Sequence, residues 1–424
     1  MNKRKFFILV ASLLVLAFAV QACATPAEAP AAEEPAAEEP VAEEPAAEEP
    51  VVEESAEPIE IRVLIAFTDK RLDFTREQAT AFNEQFPQYN VVIEGLGSYN
   101  EVFEAAILSV EQGNPPSVIQ FYEAATQEAR DAVTANGNPL IKSVTDALGG
   151  QTEVNGVKVV LEDVVDAPKN YYSLDGKMES VPWNTSTTIM FTNMSIVEAA
   201  GVTDVPETWE EVDAACESIM ALDDAPDGCI AWPNHSWLIE QTMAQQGALF
   251  ANQDNGRDGR ATEVYLSSEG ATNYIQWWKD SYDKGYYLYT GVQRDWGGTT
   301  DLFNAQQVAM LLTSSSLATS VTDAGNEAGY EVVASFMPYN QDIPRKGSLI
   351  GGATLYLINE LSPDVETGAI MFMNFFQRPE SAAAWHKLTG YIPITQPAVD
   401  LLESEGWFEE NPNYMVATNQ LADS

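Results

Sequence analysis

From Ile59 onward, short apolar runs alternate with longer segments whose apolar residues recur every three or four positions. That alternation restricts the chain to a layered α/β architecture more firmly than any other feature. Ile59 to Phe67 reads as a strand. Asp69 to Phe86 carries Phe74, Gln78, Phe82 and Phe86 four apart on one helical face, and Pro87 ends it. Asn90 to Glu94 is a second strand. Asn100 to Gln112 is a helix with Phe103, Ala106, Ile107 and Val110 inward, and Ser117 to Phe121 is a third strand before a helix from Thr126. The order implies a largely parallel sheet. Loops at the carboxyl ends of such strands line a ligand crevice, and Tyr99 lies on one of these loops and Glu123 on the next. The bland alternative for Glu123 is a charge at a helix N-terminus, favourable by about 0.3–1 kcal/mol. Gly95 to Asn100, GLGSYN, imitates half of a dinucleotide fingerprint, but the third glycine is missing and the turn is the second one, which argues against nucleotide binding.

What precedes Ile59 has another character. Lys3, Arg4 and Lys5 open an apolar stretch, Phe6 to Val20, too short for a comfortable membrane span. It runs into Val20-Gln21-Ala22-Cys23, which resembles a bacterial lipobox, so residues 1–23 are expected to be a lipoprotein signal peptide with Cys23 lipidated. Residues 24–58 form a repetitive Ala/Glu/Pro tract without aromatic or basic residues. Such a tract buries too little apolar surface to offset its ordering entropy. It is expected to be a disordered tether, reaching on the order of 100 Å at ~3.1 Å per residue. The formal net charge of −43, carried partly by the tether, disfavours nucleic acid and anionic headgroups as partners.

The roughly 366 residues that remain are too many for one core and suit two lobes. Near their middle lies Gly176 to Asn193, GKMESVPWNTSTTIMFTN, in which Thr185, Ser186, Thr187 and Thr188 interrupt a run otherwise suited to burial. Buried hydroxyls need partners, so these bond backbone, one another or a ligand; a Thr-rich edge strand fits the pattern equally. This string resembles the hinge-crossing strand of the extracytoplasmic solute-binding proteins that serve ABC importers (family 1, the maltose-binding type). Within that family it is similar to the branch that binds glycerol 3-phosphate. Gly-Asn-Pro-Pro-Ser-Val-Ile-Gln-Phe-Tyr-Glu, ending at Glu123, and Trp385 to Ile394, WHKLTGYIPI, carry the resemblance further, and it covers Ile59 to the end.

The resemblance implies a two-lobed periplasmic-binding-protein fold of type II, maltose-binding-like, with a hinge of crossing strands and a ligand cleft between the lobes. The expected boundaries are 59–188 and 334–378 for the N-lobe, and 189–333 and 379–424 for the C-lobe, the last part truncated. Its implied ligand contacts fall on Tyr99, Glu123, Ser186, Ser314 (with Ser315 as a substitute), the Gly352 backbone, and Tyr391 reaching in from the second lobe. Trp232 and Trp237 are both candidates for a stacking floor, or for core packing. Physically, a carboxylate accepts from two vicinal hydroxyls, a tyrosine ring makes a flat apolar wall, and paired glycines let backbone approach a ligand closely. The three serines after VAMLLT are placed to cap a helix. Glu331 to Phe336 is expected to be the second crossing strand. Trp209 and the aromatics from Tyr274 to Tyr289 read as core. Beyond Cys23, only Cys216 and Cys229 remain, and a disulfide between them suits an oxidising compartment. The resemblance also implies a later arginine gripping phosphate. No arginine follows Arg378, so the chain is expected to be a fragment.

The function implied is that of a lipid-anchored, extracytoplasmic binding protein, a monomer and not an enzyme. It would capture glycerol 3-phosphate or a glycerophosphodiester by hinge closure and deliver it to the transmembrane permease subunits. A neutral sugar or oligosaccharide is the alternative ligand. An extracellular glycosidase using Glu123 would need a second carboxyl about 5–9.5 Å away. A surface-layer component would explain the anchor but not the crevice residues. Neither HExxH nor GxSxG occurs, and His235 and His386 are isolated, so no metal or cofactor is expected.

Overall fold

The computed structural model describes residues 57–422; the expected signal peptide, Cys23 and nearly all of the expected tether lie outside them. Among the described residues fourteen strands follow one another as β1 (Ile59–Ile65), β2 (Tyr89–Gly95), β3 (Val118–Tyr122), β4 (Ile141–Lys142), two small hairpins β5–β6 (Glu153–Val154, Val157–Lys158) and β7–β8 (Ser173–Leu174, Lys177–Met178), β9 (Val181–Ser186), β10 (Thr188–Asn193), β11 (Ile230–Ala231), β12 (Met310–Ser314), β13 (Val332–Phe336) and β14 (Gly351–Ile358). They build two main sheets. The first runs β2-β1-β3-β14-β4, with β9 beside β14 on the same edge as β4; the second runs β11-β12-β10-β13.

In the first sheet β1 pairs in parallel with β2 and β3, as the alternation predicts. The rest corrects that reading. β14 returns from the second sheet and lies antiparallel to β3, β4 and β9, and the second sheet is parallel only between β11 and β12.

Local sequence explains the helices. Lys70–Gln85 starts at Asp69, whose side chain accepts the Arg71 N–H, and buries Phe82 against Phe372 and Phe375, both 5.4 Å away. Tyr99–Glu111 is capped by Ser98, and Val102, Ala106 and Val110 are its buried face, with Phe103 and Ile107 partly covered. Trp209–Ile219 opens on a reciprocal cap between Thr208 and Glu211. Ser236–Gln245 is capped by the His235 ring, whose Nδ1 accepts the Trp237 N–H at 3.1 Å.

The chain passes from the first sheet to the second within Ser186–Thr188 and returns between Phe336 and Gly351. β13 is not a crossing strand: all of it pairs with β10 inside the second sheet, so the expected change of lobe at 333/334 falls within a strand. Two side chains tie the crossings together. Gln420 donates to Thr187 Oγ1 (3.1 Å) and to the Thr188 carbonyl (2.7 Å) and accepts the Met337 N–H (2.8 Å). Thr187 donates to the Leu349 carbonyl at 2.7 Å. Of the hydroxyl-rich string only the Thr187 hydroxyl joins the two passages, while those of Thr185 and Thr188 are buried without a hydrogen-bond partner.

Cys216 and Cys229 are bonded to each other in the second core. A disulfide acts mainly on the unfolded chain, and a loop this short is worth about 2–3 kcal/mol. Replacing both cysteines by serine is expected to lower unfolding stability by that amount in denaturant titration while leaving ligand affinity unchanged.

Candidate ligand-binding cleft

The candidate residues stand near the ends of β1, β3 and β14, at the start of the Tyr99 helix and on the Ser236–Gln245 helix. Tyr99 stands at the first residue of its helix, where Ser98 fixes the entry. Its hydroxyl accepts from Asn184 Nδ2 at 3.1 Å. Asn184 is held in turn by Gln120, which donates to Asn184 Oδ1 at 2.8 Å and accepts the Ala66 N–H at 2.7 Å. Both amides are fully buried, so β3, β9 and the residue that follows β1 hold one phenol in place. Nothing in the sequence singled out Asn184, although it stands within the hinge string.

Glu123 follows β3 directly. Burial pushes its carboxyl up to about 8; its own N–H and that of Gly352 act the other way by donating to the ionised form, while Glu240 raises it further. Gly352 has φ +102°, and a Cβ there would sit 1.7 Å from the Asn184 carbonyl oxygen. The β14–β9 register shifts just beyond, between Ala353 and Thr354. The bulge and the close approach therefore occur together. Gly351 is equally confined, since a Cβ would lie 2.1 Å from Cζ2 of Trp237.

The two tryptophan candidates part here. Trp237 packs on Gly351, with Trp296 at 6.0 Å on another side. Trp232 is wholly buried in the second core between Trp277 (5.3 Å, 13°) and Tyr287 (4.1 Å, 30°). Its candidacy as a stacking floor is withdrawn, because both faces are already covered by rings. Trp209 stacks on the same Trp277, and Tyr274 is buried beside it, whereas Tyr282 is exposed.

Tyr391 also departs from expectation. Its ring stacks parallel on Trp385 at 5.7 Å and lies 6.3 Å from Phe67 at the end of β1. It therefore belongs to the core of the first sheet rather than reaching in from the second lobe. Its helix, Pro379–Thr389, touches both sides: Ser381 donates to Gln78, and Thr319 donates to the Lys387 carbonyl. Next to Tyr391 stands Arg71, with its guanidinium 4.0 Å over the Phe67 ring and a fork of bonds to Asp69. Burial opposes its charge, but Asp69, Tyr391 and Tyr99 hold it above its ordinary value.

The serines lie at the crossing. Ser186 is buried and faces Gly351 in register. Ser314 pairs with Thr188 and caps the following turn through Ser316. Ser315 is the more buried, and its Oγ accepts the Thr187 N–H at 3.2 Å. The arrangement thus brings together Tyr99, Glu123, Gly352 and Trp237, with Tyr391 and Arg71 on one side and Ser186 and Ser314 at the hinge. It suits a hydroxylated molecule: one carboxylate and several hydroxyls on an aromatic frame. Among the described residues no helix is long and apolar enough to cross a membrane, and no group of three or more His, Cys, Asp or Glu is placed to hold a metal ion.

Residues 77–416 match the family model described as bacterial extracellular solute-binding protein. The sn-glycerol-3-phosphate-binding periplasmic proteins UgpB of Escherichia coli and Shigella flexneri are 28% identical over 350 residues, covering 81% of this chain and 76% of theirs. Among solved structures, UgpB from Mycobacterium tuberculosis in complex with glycerophosphocholine superposes with TM-score 0.68 at 22% identity, covering 87% of each chain. The cyclic α-maltosyl-1,6-maltose binding protein from Arthrobacter globiformis does so with TM-score 0.67 at 19% identity, covering 86% of this chain and 87% of that one. The chain belongs to the bacterial extracellular solute-binding protein family, the two-lobed extracytoplasmic proteins that bind a small ligand for the permease of an ABC importer and do not transform it.

Proposed function

We propose that this protein captures glycerol 3-phosphate or a glycerophosphodiester by closing its lobes, anchored to the cell membrane as a monomer through lipidated Cys23. The observation that carries the reading is the convergence of Glu123, Tyr99 and Gly352 around Asn184 at the ends of the first sheet's strands, in a chain related to glycerol-3-phosphate-binding proteins. Glu123 accepts from ligand hydroxyls, Tyr99 and Tyr391 wall the site, and Ser186, Ser314 and Trp237 close it from the hinge and the second lobe. Arg71, beside both tyrosines, places positive charge where a phosphate gains from it. Closure follows from ligand contacts available only when both lobes meet. Calorimetric titration with glycerol 3-phosphate, glycerophosphocholine, maltose and glucose tests this. A phosphate ester is expected to bind at about 1 μM, which needs only some 8 kcal/mol. Binding of a sugar with no response to either phosphate ester refutes the ligand class.

A further inference from the structure

The loop that joins the helices Ser236–Gln245 and Glu269–Asp283 runs against local preference. Gln253, Asp254 and Asn255 sit in succession at φ +56°, +50° and +54°. Left-handed backbone is disfavoured for residues other than glycine and is rare in runs, so something must hold it. Two asparagines do. Asn255 Oδ1 accepts the N–H groups of Phe250 (2.8 Å) and Ala251 (2.9 Å). Asn252 Oδ1 accepts those of Thr262 (2.9 Å) and Glu263 (3.2 Å), and its Nδ2 donates to Thr262 Oγ1 at 3.1 Å. The loop is pinned at its neck, and beyond it lie Arg257 and Arg260. Held strain of this kind clusters at ligand clamps and switch regions.

Both arginines leave their own lobe. The flanking helices pack in the second core through Leu238, Tyr274 and Trp277. Arg260 pairs instead with Asp131, at the end of the helix Thr126–Asp131, whose Ala129 lies in one core with Phe121 of β3 and Tyr356 of β14. Arg257 Nη2 donates to the Tyr171 carbonyl at 2.9 Å and Nη1 to the Ser173 carbonyl at 3.5 Å, with the guanidinium 4.9 Å over the Tyr171 ring. Tyr171 ends the helix Asp166–Tyr171 beside β9, and its hydroxyl donates to the Glu123 carbonyl at 3.2 Å. A single side chain thus separates Arg257 from the backbone of the carboxylate assigned to the ligand. We propose that residues 251–264 are a strap that latches the closed lobes: Arg260 fastens on Asp131, and Arg257 is a positioning residue that holds Glu123 through Tyr171, so that breaking the strap speeds ligand release. The inference rests on the functional reading for its ligand, but not for the contact between lobes.

The test is stopped-flow release of glycerol 3-phosphate and of glycerophosphocholine from the full chain and its variants. Arg260→Asp and Asp131→Arg are each expected to speed release about threefold, as suits one exposed ion pair, and the two together to restore the original rate. Arg257→Ala is expected to speed it about tenfold, and Arg257→Lys, which lacks the planar fork, to recover only part. Association rates and denaturant midpoints are expected to stay unchanged. Unaltered release in the single variants, a double variant as fast as either single one, or a fall in stability that tracks the release rate overturns the inference. A second arm needs no ligand. In the empty chain, the Arg257→Ala/Arg260→Ala variant is expected to speed amide hydrogen exchange in Thr126–Asp131 and Asp166–Tyr171 as well as in the loop; a change confined to the loop overturns the strap. If the unmutated chain binds neither ester, the functional reading fails, and the exchange arm alone decides on the strap.

Discussion

Gly352→Ala is expected to lower unfolding stability by about 4 kcal/mol and to abolish measurable ligand binding. Two costs coincide at this position. The backbone sits at φ +102°, where a side chain costs about 1–3 kcal/mol, and the new Cβ would lie 1.7 Å from a backbone oxygen, that of Asn184. That atom cannot swing away like the tip of a side chain, so β14 and β9 must separate, which adds about 1–3 kcal/mol for overpacking. Asn184 is also the residue that holds the Tyr99 hydroxyl, and the Gly352 N–H serves Glu123, so the same displacement disturbs both. Gly137→Ala supplies the contrast. Its φ of +80° carries a conformational cost, but no atom lies within 4 Å of its would-be Cβ, and about 1 kcal/mol with normal binding is expected. Equal losses in the two variants, measured by denaturant titration and calorimetry, would falsify the steric argument.

Glu123 is expected to make binding depend on pH in a defined direction. A carboxyl raised to about 8 in the empty protein is mostly protonated at pH 6, about one molecule in a hundred being ionised. Only the ionised form accepts hydrogens on both oxygens. Affinity for a hydroxylated ligand therefore rises up to tenfold per pH unit from 6 to 8 and levels off above. Stability of the empty protein has the opposite slope. Between the ordinary carboxyl value of 4.5 and about 8 the folded chain holds more protons at this site than the unfolded one, so its contribution declines as pH rises through that window. Glu123→Gln is expected to flatten the binding profile and to weaken binding roughly 100-fold at pH 8, about 3 kcal/mol for two lost charge-assisted bonds. A wild-type affinity that is level from pH 6 to pH 8 contradicts the role given to this carboxylate.

What was legible in the sequence follows from the range of the interactions. Helix caps at Asp69, Ser98 and Thr208 act within a few residues, and the apolar spacing of Phe82 or Ala106 is local, so those elements are readable. Tyr99 and Glu123 are readable because a loop after a parallel strand points to one end of the sheet. Pairings between distant segments are not. β13 reads as a crossing until β10 is seen to pair with it, and β14 reverses the sheet because it arrives from the other lobe. Trp232 and Trp237 look alike in one short string, and Trp277 and Tyr287, much later in the chain, decide which is enclosed. Asn184 gains its role from Gln120 across a separation of 64 residues.

The most direct measurement is a crystal structure of the chain grown with glycerophosphocholine. The account predicts density for one ligand between the two sheets, in contact with Glu123, Tyr99 and Trp237, with Trp232 still enclosed between Trp277 and Tyr287. A ligand on an outer face, or one within the gap that leaves Glu123 untouched, contradicts it.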